Sequence, residues 1–106
     1  MIELYLKSRK NEFEAKALYN ELTKETIILK GSRISPTVSG GAFRSAKSVE
    51  KKRQDASIKE GLLTQDMAFK SASAAANFVT GISTNGLIAW RTAEGVNLRD
   101  LLKHSK

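Results

Sequence analysis

Residues 69–81 read FKSASAAANFVTG and carry the clearest helix signal in the chain. Small and apolar residues recur at the helical spacing i, i+3, i+4 and i+7, at Ala72, Ala75, Ala76 and Val79. Ser71 is a favoured N-cap residue, and Gly81 is typical of the left-handed residue that ends a helix. We therefore predict a helix between Ser71 and Gly81, with side chains small enough for another element to pack closely against it.

Three short segments before this helix favour strands: Ile2–Tyr5, Phe13–Tyr19 and Thr26–Leu29. The second alternates between two faces, and the third is β-branched and stops at Lys30-Gly31. A polar turn over Asn20–Glu25 would join them as a hairpin. A helix over Phe13–Leu22 is the competing interpretation, because Glu, Ala, Lys and Leu dominate there.

The middle of the chain is predicted to hold a loop and then a basic helix. Gly31–Phe43 contains Pro36 and the pair Gly40-Gly41, which favour irregular structure. Ser45–Glu60 is interpreted as a helix that Gly61 terminates, with a thin apolar side and a basic exposed face.

The remaining predicted elements are short. An extended segment at Met67–Phe69 precedes the helix. After Gly81 come a turn at Ser83–Gly86, a strand at Leu87–Trp90, a turn at Glu94-Gly95 and a closing helix at Leu98–Lys103. Strands and helices alternate without the length needed for parallel crossovers. The prediction is an α+β fold, a small antiparallel sheet packed with about three helices, in one domain over residues 1–106.

The positive charge of the chain is concentrated in one window. The formal net charge is +7, and residues 30–53 contain seven cations against the single carboxylate of Glu50. The cations are Lys30, Arg33, Arg44, Lys47, Lys51, Lys52 and Arg53. Clustered cations of this kind favour a polyanion partner through phosphate neutralisation, and a solvated basic surface is the alternative.

Composition excludes several classes of chemistry. The 106 residues include no cysteine and one histidine, so disulfides, thiolate nucleophiles and multi-histidine metal sites have no material. We predict no cofactor, no metal, no signal peptide and no membrane span, and we expect a cytoplasmic protein. Glu14-Ala15-Lys16 imitates the end of a metal-nuclease motif, but no aspartate precedes it, and we interpret it as a solvated strand face. No catalytic residue is predicted.

Five motifs, in order, resemble a known family. They are Ile28–Ser32, Glu60–Leu63, Phe69–Gly81, Ser83–Arg91 and Gly95–Leu101. Over about residues 13–103 the chain resembles a small domain of unknown function (family 4357) found C-terminal to GIY-YIG nucleases and in restriction-associated proteins. It is also similar to the RAMA (restriction adenine-methylase-associated) module. Ala72 stands where the family has Pro, and Leu87 stands where it has a first Trp.

The resemblance implies a bacterial restriction-modification setting and a DNA-binding or DNA-sensing role beside a nuclease or methyltransferase domain. We therefore expect a non-catalytic nucleic-acid-binding domain, with DNA as the expected partner. A protein-interaction module that docks a partner through its Ala-rich or basic helix is the alternative.

The candidate contacts with nucleic acid extend beyond the basic window. Lys30-Gly31-Ser32 offers backbone N–H groups beside a cation, which suits a phosphate oxygen, or is simply a turn that ends a strand. Ser83, Thr84 and Asn85 present polar groups, or are a turn set by conformation alone. Trp90 suits stacking on a base, although a lone Trp in a small domain is more often a core residue.

Overall fold

The computed structural model describes residues 1–8, 12–35, 51–54, 58–82 and 84–104. Its main sheet has four antiparallel strands, β1 (Ile2–Lys7), β2 (Glu14–Tyr19), β3 (Thr26–Ile28) and β6 (Met67–Phe69). They pair in the order β1-β2-β3-β6. A two-stranded hairpin consists of β4 (Ile58–Lys59) and β5 (Leu62–Leu63). The α+β prediction is confirmed, as are the strand interpretation of residues 14–19 and the β2–β3 hairpin.

Alternation along β1 and β2 gives the sheet an inner and an outer face. Leu4, Leu6, Ala15, Ala17 and Tyr19 are buried, while the residues between them are exposed or half-buried. The register pairs Leu4 with Ala17 and Tyr5 with Lys16. The apolar members of both strands therefore share the inner face.

Helix α1 (Ala72–Thr80) packs on the inner face of the sheet. Ser71 caps it by accepting a hydrogen bond from the Ala74 N–H, and Gly81 ends it in the left-handed conformation with φ 75°. Ala75, Ala76, Phe78 and Val79 are fully buried. The Phe69 and Phe78 rings lie 5.1 Å apart, which joins the helix to the edge strand β6.

Two further helices follow α1 along the chain: α2 (Gly86–Ala89) and α3 (Leu98–His104). The predicted strand at Leu87–Trp90 is wrong, because residues 86–89 form a helical turn. The Asn85 side chain accepts the Leu87 N–H and so caps this turn, and the Trp90 N–H donates to the Gly86 carbonyl. The closing helix is confirmed, with Leu98 buried.

The basic helix ends earlier than predicted. Residues 51–54 are helical, but Ile58–Lys59 pairs with Leu62–Leu63 as a hairpin. Glu60 and Gly61 have φ of 54° and 79°, so these two residues form a tight hairpin turn rather than a helix terminus. The remainder of the predicted Ser45–Glu60 helix lies outside the described residues.

The first part of the predicted loop Gly31–Phe43 extends the sheet. Arg33 forms bridges with both Glu14 and Leu62, and the Ile34 N–H donates to the Gly61 carbonyl over 3.0 Å. The segment therefore joins β2 to the β4–β5 hairpin. The part of the predicted loop after Ser35 lies outside the described residues.

Candidate nucleic-acid interface

An open groove of about 470 Å³ crosses the outer face of the sheet. Strands β1 and β2, the segment after β3, and β5 all contribute to its lining. The lining side chains that matter here are Tyr5, Glu14, Lys16, Leu29, Lys30, Arg33 and Leu62, which we call the sheet groove. Lys16, Lys30 and Arg33 are cations, and Glu14 is the carboxylate among the described residues that line the groove. The lining therefore carries more positive than negative charge, and Leu29 and Leu62 add apolar side chains to it.

Strand register brings the three cations together. Lys16 pairs with Tyr5 on one side, and on the other its carbonyl accepts the Leu29 N–H over 2.8 Å. Arg33 exchanges hydrogen bonds of 2.8 and 3.0 Å with the backbone of Glu14. Lys16, Lys30 and Arg33 are all exposed. Cations separated by up to seventeen positions in sequence thus line one surface.

Tyr5, Lys16 and Glu3 form a hydrogen-bonded cluster at one end of the sheet groove. The Tyr5 hydroxyl donates to Glu3 Oε1 over 2.5 Å, and the Lys16 ammonium lies 2.8 Å from the same oxygen. Hydrogen bonds from Lys16 and Tyr5 lower the pKa of Glu3, and its carboxylate raises the pKa of Lys16 and of Tyr5. At neutral pH Glu3 is therefore anionic, Lys16 cationic and Tyr5 a neutral phenol.

The turn Lys30-Gly31-Ser32 does not offer the free backbone N–H groups that we expected. The Lys30 N–H donates to Asp66 Oδ1 over 2.7 Å, and the Gly31 and Ser32 N–H groups donate to the carbonyls of Leu63 and Leu29. Ser32 is buried, and its Oγ accepts the Lys16 N–H over 3.0 Å. These N–H groups hold the strands together and are not free to bind a phosphate, whereas the Lys30 side chain is exposed.

The expectation that Arg53 is exposed is wrong. Its guanidinium donates to the carbonyls of Ser35, Phe78 and Val79 at 2.7 to 3.2 Å. Burial lowers its pKa. The last carbonyls of a helix lack partners within the helix and carry a negative partial charge, which explains why a half-buried cation sits there. Arg53 therefore stabilises the end of α1.

The two lysines before Arg53 remain on the surface. Lys51 and Lys52 are exposed, and the Lys52 ammonium lies 4.6 Å from the centre of the Phe69 ring. Lys52 and Lys70 line a second surface hollow beside the β2–β3 turn. Lys51 and Lys52 do not line the sheet groove. The cations of residues 30–53 therefore contribute to two separate surfaces.

Trp90 is a core residue. It is 0% exposed, and its indole Nε1 donates to the Ala72 carbonyl over 2.9 Å. That bond ties the buried indole ring to the first turn of α1. The ring is inaccessible to a base in this fold, which corrects the stacking role considered for it.

The turn before α2 is occupied by internal hydrogen bonds. The Thr84 N–H donates to Asn77 Oδ1 over 2.8 Å, and the Thr84 and Thr80 hydroxyls share a bond of 2.7 Å. Asn85 is exposed but uses its side-chain oxygen to cap α2. These bonds favour the conformational role of the turn. Ser83, Arg44 and Lys47 lie outside the described residues.

Tyr5 and Lys16 are the members of the sheet groove that sequence reasoning missed as binding candidates. The alternation of the two strands could have shown that Tyr5 and Lys16 lie on one face, because it places both on the face opposite Leu4 and Ala15. The pairing register that sets them side by side is a tertiary property. The charge count drew attention instead to residues 30–53, where the excess is largest.

Within the described ranges, no three acidic or histidine side chains group as a metal site requires. Glu14 and Lys16 are alternate residues on one strand face, and Lys16 is paired with Glu3. None of the helices in that part of the chain is long and apolar enough to cross a membrane.

A family model described as "Domain of unknown function (DUF4357)" matches residues 4–102. The match includes all six strands, apart from the first two residues of β1, together with α1, α2 and residues 98–102 of α3. No curated protein and no solved structure gives a significant match.

Proposed function

The chain belongs to the DUF4357 family, and from that premise we propose that it is a non-catalytic nucleic-acid-binding domain. The observation that carries the proposal is the sheet groove, where Lys16, Lys30 and Arg33 converge on one open surface. Cations on such a surface neutralise phosphates and release the counterions condensed on the nucleic acid.

The sequence resemblance supports the setting of this activity. Likeness to domains that accompany GIY-YIG nucleases and restriction methylases favours an accessory role, with DNA as the ligand. In that role the domain holds DNA and a neighbouring nuclease or methyltransferase domain supplies the chemistry.

The test is the salt dependence of binding. Each phosphate contact contributes about 0.7 to 0.9 to the slope of log affinity against log salt. We expect the double variant Lys30→Gln/Arg33→Gln to lower that slope by about 1.4 to 1.8 and to weaken binding to every sequence alike. Fluorescence anisotropy with a labelled oligonucleotide at four salt concentrations measures it.

The matched control is Arg99→Gln/Lys103→Gln, which removes the same charge from exposed positions on α3 outside the sheet groove. Its slope should stay within about half a unit of the parent slope. Equal slopes for parent and Lys30/Arg33 variant, with intact circular dichroism, would contradict a phosphate-binding role for the groove.

A protein-docking function is the second candidate, and exposed apolar side chains favour it. Leu22 is 94% exposed at the tip of the β2–β3 turn, and Ile82 is 51% exposed. The Asn20 side chain orders that tip by accepting the Leu22 and Thr23 N–H groups. Binding to a partner protein that Leu22→Ser abolishes and salt leaves unchanged would favour this candidate.

A further inference from the structure

We propose that the sheet groove binds single-stranded nucleic acid, with Tyr5 stacking on an unpaired base while Lys30 and Arg33 contact the flanking phosphates. This inference rests on the proposed function and specifies its ligand. It depends on three observations: an apolar row on the outer sheet face, the position of Tyr5, and the arrangement of the cations around it.

One row of the outer sheet face is apolar, although the same face also carries the charged residues Glu3, Lys7, Glu14 and Lys16 of β1 and β2. Leu18, Ile27 and Ala68 lie in one row across three strands, since Leu18 pairs with Ile27 and Ile27 pairs with Ala68. Leu18 and Ile27 are only half-buried and stand outside the core cluster, whereas their neighbours Ala17 and Ile28 are fully buried in it. The row therefore faces outward.

This apolar row borders the sheet groove. Lys16 and Leu29 form the next row on the same face, two positions along each strand from Leu18 and Ile27. Tyr5 and Leu62, at opposite sides of the groove, are 36% and 38% exposed. The surface thus combines accessible apolar and aromatic groups with three cations.

A single strand matches this combination and a duplex does not. Unpaired bases present flat apolar faces together with a phosphate for each nucleotide, so an aromatic ring beside cations recognises both parts. In a duplex the base faces are stacked inside, and the accessible surface consists of phosphates, sugars and groove edges. A duplex would satisfy the cations and leave the apolar row unused.

The Tyr5 side chain is held in place from the hydroxyl end. Its donor bond to Glu3 fixes the position of the phenol, and the Lys16 ammonium lies 5.8 Å from the ring centre. The Tyr5 backbone exchanges hydrogen bonds of 2.7 and 2.9 Å with Arg91, which covers this stretch of the edge strand. A ring held at both ends loses little conformational entropy when a base stacks on it.

The experiment compares one labelled twenty-nucleotide mixed-sequence DNA as a single strand and as its blunt duplex, by fluorescence anisotropy at several salt concentrations. The variants are Tyr5→Leu, which keeps an apolar strand residue without the ring, and Tyr5→Phe, which keeps the ring without the hydroxyl. Circular dichroism confirms the fold of each variant.

We expect tighter binding to the single strand than to the duplex at equal salt. Tyr5→Leu should weaken single-strand binding about tenfold, the loss typical of one stacked base, with the salt slope unchanged because no charge is removed. Tyr5→Phe should stay within about threefold of the parent, and duplex binding should not respond to either variant.

The outcomes separate the two proposals. One outcome is that the duplex binds as well as the single strand, that Tyr5→Leu has no effect and that Lys30→Gln/Arg33→Gln lowers the salt slope. In that case the proposed function stands and the single-strand inference is overturned. If neither form binds at 50 mM salt, the proposed function fails and the inference with it. A Tyr5→Leu loss equal for both forms would also overturn stacking.

Discussion

Gly86 shows how a single residue sets the approach of two helices. A Cβ atom built there would lie 2.3 to 2.4 Å from the backbone of Ala72 and Ser73, far inside contact distance. The Gly86 N–H also donates to Ser73 Oγ over 2.9 Å. The start of α2 therefore touches the first turn of α1, and no larger residue fits between them.

We predict that Gly86→Ala lowers the free energy of unfolding by about 1–3 kcal/mol, the usual cost of overpacking a tight contact. Urea denaturation measures it. Gly95→Ala is the comparison, because Gly95 has φ 90° but nothing within 4 Å of the added Cβ, so only backbone strain is introduced. A Gly86→Ala cost no larger than that of Gly95→Ala would contradict the close approach.

Tyr19 should make the fold sensitive to alkali. Burial raises the pKa of this phenol, and Glu21 adds to the rise. In the unfolded chain a tyrosine titrates near pH 10. The stabilisation that Tyr19 gives is therefore fully present below about pH 10, and it is lost as pH rises through the higher pKa of the folded state.

Comparison with Tyr19→Phe isolates this contribution, because phenylalanine keeps the ring and cannot ionise. We expect the stability of the parent to fall more steeply than that of Tyr19→Phe between pH 9 and 11, measured by urea denaturation at each pH. Parallel pH profiles would show that the Tyr19 hydroxyl is solvated in the folded state.

At the scale of elements, Arg53 connects helical residues 51–54 to the end of α1. Its planar guanidinium spans three carbonyls on two segments, at Ser35, Phe78 and Val79, a geometry that lysine cannot reproduce. Substitutions of Arg53 are therefore expected to change the stability of the fold directly, whether or not they change nucleic-acid binding.

We predict that Arg53→Gln lowers the free energy of unfolding by about 1.5–3 kcal/mol, the range for hydrogen bonds to a charged group. Arg53→Lys should recover only part of this loss. Lys51→Gln, at an exposed position two residues away, should stay within about 0.5 kcal/mol of the parent. An Arg53→Gln variant as stable as Lys51→Gln would show that these bonds contribute nothing.

Elements with strong local signals could be predicted from sequence. The alternation in β2, the cap at Ser71 and the left-handed Gly81 each act within a few residues, and each is found as expected. Residues 86–90 could not be predicted, because a short apolar run fits a strand as well as a helical turn. Tertiary contacts decide it, namely the approach of Gly86 to Ala72 and the burial of Trp90.

The pair Glu60-Gly61 shows a second limit. A glycine after a helical pattern favours a helix end, but the same two residues suit a tight hairpin turn when strands flank them. Pairing of Ile58 with Leu63 selects the turn. The candidate site was predictable only in part for a related reason: Lys30 and Arg33 stand out in the charge count, while Tyr5 and Lys16 join them through sheet register.

At the scale of the whole molecule, the residues that stabilise the fold and the surface proposed for binding lie on opposite faces of the sheet. The inner face of the sheet packs against α1, and Trp90, Arg53 and the alanines of α1 hold the layers together. The outer face carries the sheet groove and the apolar row Leu18, Ile27 and Ala68. Among the described residues, the side chains of this outer face are exposed or half-buried and so are accessible to a ligand.

The most direct test of the binding account is an amide chemical-shift titration of the ¹⁵N-labelled protein with the single-stranded oligonucleotide. We predict that the largest shifts fall on residues 3–7, 14–18, 27–33, 62 and 68, which form the sheet groove and the adjoining row, while residues 98–104 of α3 stay unshifted. Shifts concentrated on α2 or α3, with the sheet groove unaffected, would contradict the assignment of this face as the nucleic-acid interface.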